Sequence, residues 1–302
     1  MKELWLLALE GLSGASESDF DNFIKGYFKC ANQSDLIQLL EEYFGNNHTK
    51  LRAFREEALK AEKEKLNPDQ EKVYKAALNR NLQVIAGPGS GKTHTLTLRI
   101  ARLIQEEGIN PQNILVLAYN RAVVIELKER LSKLFRDLGY YKLTKSLQVH
   151  TFHSYAKKIL QLEGDSFHEW IKLFVAALEN NEPLVKERIG TVRYIFVDEF
   201  QDITAERLKF LKLISELSNA KLCVIGDPNQ SIYGYDRLRL GDTMDPKPFY
   251  DEFKELYKPR ELNLTINYRS FPNILEQAEK LLNLNTSKFQ MPKLVAFNDP
   301  NT

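Results

Sequence analysis

Near the start of the chain, apolar residues recur at helical spacing. Within 19–30, Phe20, Phe23, Ile24, Tyr27 and Phe28 fall at i, i+3, i+4, i+7 and i+8, and within 34–44 Leu36, Ile37, Leu40, Tyr43 and Phe44 do much the same. Each set forms one apolar stripe on an amphipathic helix. Ser34 is placed to cap the second helix and Gly45 to stop it. Residues 51–65 keep the helical period but carry many charges and few apolar anchors, as a solvated connector or a packing arm does. From Leu66 the texture changes. Short apolar runs at 82–86, 114–118, 147–150, 194–197, 222–225 and 262–265 read as buried strands, with helical patterns such as 92–105 and 121–135 between them. This alternation predicts a parallel sheet covered by helices on both faces. The chain therefore reads as a small all-helical N-terminal domain, 1–65, followed by a three-layer α/β domain, 66–302.

Composition narrows the class. The 302 residues, 43% hydrophobic and 27% charged, suffice for a sizeable core. A formal net charge of +1 gives no overall basic field, so any nucleic-acid site is a local surface. Cys30 and Cys223 are far apart and form no CxxC, which argues against a disulfide framework or a zinc site and suits a reducing cytoplasm. The apolar run 4–9, bracketed by Glu3 and Glu10, is short for a signal peptide and reads as a helix start. No stretch reaches the length of a membrane span, so no membrane partner is expected.

The chemistry is concentrated in Ala86-Gly-Pro-Gly-Ser-Gly-Lys-Thr93, which follows a predicted strand and opens a predicted helix. That context defines a phosphate-binding loop. Gly87, Gly89 and Gly91 let backbone N–H groups turn inward, Pro88 and Ser90 complete the loop, and the helix N-terminus adds its positive end. Lys92 can reach the β- and γ-phosphates of ATP, and the Thr93 hydroxyl can sit on Mg²⁺. Ala86 departs from the strict pattern, which has glycine there. A second strand, 194–197, ends in Asp198 and Glu199. Asp198 can hold Mg²⁺ and Glu199 can take a proton from the attacking water.

Taken in order, the motifs resemble the UvrD/Rep-like helicases of superfamily 1. Leu66-Asn-Pro-Asp-Gln70 resembles that family's Q motif, Ala86 to Thr93 its first helicase motif, and Leu117-Ala-Tyr-Asn-Arg-Ala122, followed by Glu126-Leu127, its segment contacting single-stranded DNA. Thr151-Phe-His-Ser-Tyr155, Asp198-Glu-Phe-Gln-Asp202, Gly226-Asp-Pro-Asn-Gln-Ser-Ile-Tyr233 and Leu264-Thr-Ile-Asn-Tyr-Arg-Ser270 resemble four further signatures, and the match covers roughly residues 66 to 300. The resemblance implies a RecA-like P-loop NTPase fold and a set of roles. Gln70 would read the adenine edge and Tyr268 would stack on the adenine. Gln201 would position the water or the γ-phosphate, Gln230 would sense that phosphate, and Arg269 would place its guanidinium on it as charge develops. Tyr119 and Tyr235 stand where the family stacks aromatics on bases, and Asn120 and Arg121 lie in the same DNA segment as Tyr119. His153 reads either as a DNA contact or as a structural histidine.

Three departures shape the expectation. Only about forty residues separate Tyr155 from Tyr194, where the family usually inserts a large helical subdomain; Trp170, Ile171, Phe174, Val175 and Leu178 suggest one amphipathic helix there. The DNA segment and the Tyr at 235 differ from the commoner family residues. Nothing after Ser270 resembles the family's later motifs, so the resemblance implies the N-terminal half of a motor. The expected function is the ATP-binding and hydrolysing half of a DNA helicase or single-stranded DNA translocase. Its expected partners are single-stranded DNA or a 3′-tailed duplex and a second RecA-like domain or a nuclease, with the chain itself a cytoplasmic monomer. The alternative is a non-motor, nucleotide-dependent switch regulating a partner such as a nuclease.

Overall fold

The computed structural model describes residues 16–31, 33–44, 49–140, 143, 146–163, 169–231, 234, 238, 241–243, 245–283 and 292–297. It opens with helices α1 (Glu17–Tyr27), α2 (Gln33–Phe44) and α3 (Thr49–Lys63). Ser16 caps α1, its Oγ accepting from the Asp19 N–H at 3.2 Å. Residues 1–15 and 45–48, which carry the expected opening helix and the Gly45 stop, lie outside the described residues.

The apolar stripes of α1 and α2 meet α3 in a small core of Phe23, Leu36, Ile37, Leu39, Leu40 and Leu51. Leu59, two turns further along α3, is buried instead in the core beneath the sheet. Of the two readings open for this charged helix, the structure gives the packing arm. Its middle is fastened by Arg55, which pairs with Glu41 of α2, donates from Nε and NH2 to the Gly139 carbonyl at 3.0 and 2.8 Å, and lies 4.0 Å above the Tyr140 ring.

The remaining elements alternate. They run α4 (Pro68–Lys75), β1 (Leu82–Ala86), α5 (Lys92–Gln105), β2 (Ile114–Ala118), α6 (Arg121–Asp137), β3 (Gln148–Thr151), α7 (Phe152–Leu160), α8 (Trp170–Glu179) and α9 (Pro183–Ile189). There follow β4 (Tyr194–Val197), α10 (Ala205–Ser218), β5 (Lys221–Gly226), α11 (Lys247–Tyr257), β6 (Arg260–Leu264), β7 (Ile266–Asn267), α12 (Pro272–Asn283) and β8 (Val295–Ala296). The expected strands are present, three with the expected ends and three with ends moved by one or two residues. The helix anticipated from Trp170 is α8; the short α9 after it, begun by Pro183, was not foreseen.

Strands β1 to β6 form one sheet in the order β3-β2-β4-β5-β1-β6, every pair parallel, and β7 pairs with β8 separately. Side chains alternate between its faces. Leu115, Leu117, Ile195, Val197, Leu222 and Val224 pack with α7, α8, α10 and α11, whereas Leu82, Val84, Ile114, Val116, Phe196 and Ile225 pack with α4, α5 and α6. A strand buried on both faces must be apolar at every position, which is why the runs at 82–86 and 114–118 carry almost no polar residue. Because all six strands point the same way, the chain segments leaving their C-terminal ends collect along one edge. Every motif named above leaves such an end or lies against one, and that crevice is where open α/β sheets bind ligands.

Candidate nucleotide cleft and nucleic-acid face

The phosphate loop joins β1 to α5. Gly89 and Gly91 take left-handed backbone angles, φ +64° and +78°. A Cβ at Gly89 would sit 2.6 Å from the Arg269 Cβ, and one at Gly91 would sit 2.6 Å from Gln70 Nε2, so conformation and space both demand glycine. Ala86 is fully buried at the end of β1, opposite Leu264 of β6. The first position of the motif is thus part of the sheet here, and a small apolar residue fills it.

Donors from outside hold the loop's carbonyls. Asn267 Nδ2 donates to Pro88 O at 2.5 Å, the Tyr268 N–H to Gly89 O at 2.9 Å, and Gln70 Nε2 to Ser90 O at 3.1 Å. Ser90 closes the loop internally, its Oγ donating to Gly87 O at 2.7 Å. With its carbonyls engaged, the loop presents N–H groups at the start of α5, the arrangement that binds an anion. Gln70 is itself fixed: it completes a capping box with Asn67 at the start of α4 and is buried. Asn267, also buried, accepts from the Arg269 and Ser270 N–H groups at 2.9 and 2.7 Å, so it shapes the turn that carries Arg269.

The acidic wall comes from β4. Glu199 has left-handed backbone angles, φ +52° and ψ +50°, which turn the chain off the strand into the short helical turn 200–202. A non-glycine residue there costs on the order of 1 kcal/mol, offset by the burial of Phe200 against the rings of Tyr250 and Phe253 at 5.0 and 5.3 Å. Glu199 Oε2 lies 3.3 Å from Lys92 Nζ and accepts from Gln201 Nε2 at 2.8 Å. Gln201 Oε1 accepts from the Asp227 N–H at 2.9 Å, linking the end of β4 to the end of β5. A Cβ at Gly226 would come within 2.6 Å of that Oε1, so glycine is needed for the approach.

Asp198 is buried beside Glu199, and its carboxyl pKa is pushed up to about 7, first by burial and then by the Glu199 charge, with Lys92 opposing. Asp227 is buried as well; burial raises its pKa, and Lys92 opposes. The Asp198 carboxylate and the half-buried Thr93 hydroxyl, both lining the same cavity, are hard-oxygen groups suited to Mg²⁺, which takes few protein ligands and completes its shell with phosphate and water. Among the described residues, no cluster of three or more His, Cys, Asp or Glu side chains is arranged as an all-protein metal cage.

A cavity of about 210 Å³ is lined by the loop residues Pro88 to Thr93 together with Asp198, Glu199, Gln230 and Arg269. His94 and Arg130 also line it, and nothing in the linear sequence singled these out; Glu126, which the resemblance groups with the DNA-contacting segment, lines the cavity as well. Gln70 and Tyr268 stand beside this cavity and do not line it. Tyr268 Oη accepts from Asn67 Nδ2 at 2.7 Å, and its partly exposed ring lies 4.8 Å from the Phe297 ring. The structure therefore gathers Lys92, Glu199, Gln230 and Arg269 of the expected catalytic side chains around one cavity, with Gln201 reaching it only through Glu199 and the expected adenine contacts on its flank.

The expected nucleic-acid residues are less uniform. Tyr119 is half-buried at the tip of β2, with the Arg207 guanidinium 4.3 Å over its ring. Asn120 caps α6, its Oδ1 accepting from the Val123 N–H at 2.9 Å, and Arg121 is exposed in the first turn. His153 is half-buried in the first turn of α7. The neighbouring His150 sits on edge strand β3, 5.8 Å from the Tyr155 ring, its pKa lowered to about 4 by burial, with Lys158 and Lys128 adding to the effect. Tyr235 lies outside the described residues.

Comparison with known proteins follows the same outline. Residues 66–170 and 163–241 match the family model of the UvrD/REP helicase N-terminal domain. The chain is 26% identical over 293 residues to the ATP-dependent DNA helicase PcrA of Staphylococcus aureus, covering 68% of this chain and 38% of that protein. To the PcrA of Staphylococcus epidermidis it is 25% identical over 292 residues, with the same shares. It thus spans 38% of the length of these curated relatives. Similar solved structures include the Pif1 helicase from Candida albicans, with a TM-score of 0.44 and 16% identity, covering 72% of this chain and 43% of that one. Another is the Pif1 helicase from Bacteroides in complex with ADP-AlF3 and ssDNA, with a TM-score of 0.37 and 15% identity, covering 78% and 52%.

Proposed function

The chain belongs to the UvrD/REP helicase N-terminal domain family, and from that premise we propose that it is the ATP-binding and hydrolysing half of a superfamily 1 DNA helicase or single-stranded DNA translocase. The observation that carries this reading is the convergence of Lys92, Asp198, Glu199, Gln230 and Arg269 on one cavity at the mouth of the phosphate loop. ATP enters with its phosphates on the loop N–H groups of residues 87–93. Lys92 leaves Glu199 for the β- and γ-phosphates, which frees the Glu199 carboxylate to accept a proton from the attacking water. Gln201 holds that carboxylate in place, and Gln230 and Arg269 meet the γ-phosphoryl group as it departs. Thr93 and Asp198 are the residues that would hold Mg²⁺, whose chemistry is to neutralise charge on the phosphate oxygens. Gln70 and Tyr268 take the adenine, and the products are ADP and inorganic phosphate.

Tyr119, Asn120, Arg121, His153 and Tyr235 make up the proposed track for single-stranded DNA. Residues 1–65 form a helical domain and 66–302 the RecA-like domain; the separate core around Phe23 and Leu36 supports this division, while Leu59 of α3 reaches across it. A cytoplasmic monomer belongs to the same proposal; the two cysteines are unpaired, and among the described residues no helix is long and apolar enough to cross a membrane.

Phosphate release by the 302-residue chain with Mg·ATP, with and without single-stranded DNA, tests the reading. Slow turnover that rises with DNA and vanishes in Lys92→Ala is expected, with no duplex unwinding by this chain alone. Turnover unaffected by Lys92→Ala, or robust unwinding, overturns it.

A further inference from the structure

We infer that Arg207 is a positioning residue for the nucleic-acid face, fixing the Tyr119 ring as a stacking platform and tying it to the turn that carries Glu199. This rests on the reading of Tyr119 as a base-stacking residue. Arg207 lies in the first turn of α10, its N–H donating to the capping Thr204 Oγ1 at 3.3 Å, and only 7% of it is exposed.

A buried guanidinium is ordinarily held by a carboxylate, because five donors taken from water must be satisfied. Arg207 is held differently. NH1 donates to the Asp202 carbonyl at 3.2 Å, and Nε is buried with no hydrogen-bond partner. Its Cζ instead lies 4.3 Å from the centroid of the Tyr119 ring and 5.7 Å from that of Phe152, both within cation–π range. This one side chain touches three segments that are distant in sequence: the tip of β2, the start of α7 and the end of the turn 200–202.

Arg207 does not line the phosphate cavity; with Tyr119 and Phe152 it lines a neighbouring crevice that shares Asp198 and Glu199 with that cavity. The guanidinium's placement serves a stacking ring. A tyrosine at a strand tip loses rotational freedom when a base stacks on it, and a ring already held by a planar guanidinium has less to lose. Only arginine offers a flat, always-charged surface; lysine offers a point charge. The Asp202 carbonyl ties the same guanidinium to the turn that carries Gln201 and Glu199.

The test measures binding of fluorescein-labelled dT16 to the 302-residue chain by anisotropy, and of a fluorescent ATP analogue in parallel, for the wild type, Arg207→Gln, Arg207→Lys, Tyr119→Ala and the Tyr119→Ala/Arg207→Gln double variant. Circular dichroism verifies folding, and Arg207→Lys, which keeps the buried charge, substitutes if Arg207→Gln does not fold. Tyr119→Ala should weaken dT16 binding about tenfold or more. Arg207→Gln and Arg207→Lys should each weaken it about three- to tenfold, with ATP-analogue affinity within about twofold of wild type. The double variant should bind no more weakly than Tyr119→Ala, because Arg207 acts only through that ring. Wild-type dT16 affinity in Arg207→Gln and Arg207→Lys, or a loss in the double variant that is the product of the single losses, overturns the inference while leaving the Tyr119 reading intact. No binding by the wild type, or full binding by Tyr119→Ala, removes the Tyr119 reading itself and the inference with it.

Discussion

Arg55 and Lys92 each face a glutamate, the first in the joint between the leading helices and the sheet, the second in the nucleotide cleft. In the joint, both partners are 4% exposed, and the arginine fork is shared among Glu41, the Gly139 carbonyl and the Tyr140 ring. In the cleft, Lys92 is 11% and Glu199 29% exposed, and they meet at 3.3 Å, longer than a good charge-assisted bond. Glu199 also stands on a strained backbone and is held by Gln201 from the side. The first pair has the features of a fastener, whose removal leaves a buried charge alone. The second has those of a placeholder: both groups are partly in water and meet at a long distance, so the pair costs little to open. Burial and the number of remaining partners, more than the sign of the charges, separate structural from functional ion pairs.

Substitutions can break or sharpen this contrast. The largest effect is expected from Lys92→Ala, which should bring phosphate release below detection while the unfolding midpoint stays within about 2 °C, because the charge it leaves on Glu199 is partly in water. Glu199→Gln should lower turnover by about 10²- to 10⁴-fold with ATP-analogue affinity retained, as read by single-turnover kinetics and equilibrium binding; unchanged turnover would remove Glu199 as the base. Arg55→Met should reverse the pattern, destabilising the fold by about 3–5 kcal/mol in urea titration with nucleotide affinity untouched. A loss of turnover without a loss of stability in Arg55→Met would abolish the contrast. Gln201→Leu should reduce turnover about tenfold by releasing the Glu199 carboxylate, without changing affinity. The smallest effect is Arg55→Lys, which keeps the charge but gives up the fork and should cost about 1–2 kcal/mol in the same titration.

Much of the fold was legible because its signals are local. Strands buried on both faces leave apolar runs, and glycines at the phosphate loop leave a fixed spacing; both survive in the linear order of residues. The cleft residues were legible as types for the same reason. What the sequence did not disclose depends on partners far along the chain. Residues 51–65 read as charged and weakly anchored, yet Arg55 is a principal anchor, since Glu41, Gly139 and Tyr140 come together only in the fold. Asn267 and Asp227 sat inside quoted motifs without assigned tasks; burial and the Pro88 contact give Asn267 its clamp, and the Asp227 N–H holds Gln201. Asn120 shows the opposite case: read for DNA, its side chain is engaged in capping α6. Arg207 looked like one more charge on a helix, and only the tertiary packing puts it over Tyr119.

The order of the sheet has a consequence for biosynthesis. β1 carries the phosphate loop and leaves the ribosome early, but its neighbours are β5 and β6: Leu82 lies opposite Cys223 on one side and Arg260 on the other. Until those strands are translated, an apolar strand and a glycine loop have no sheet to join. At elongation rates of about 5–20 residues per second, the wait is roughly 10–40 s, long enough for a chaperone to capture the nascent chain. The nucleotide pocket is therefore among the last parts of this domain to assemble, although its signature is among the first to be synthesised.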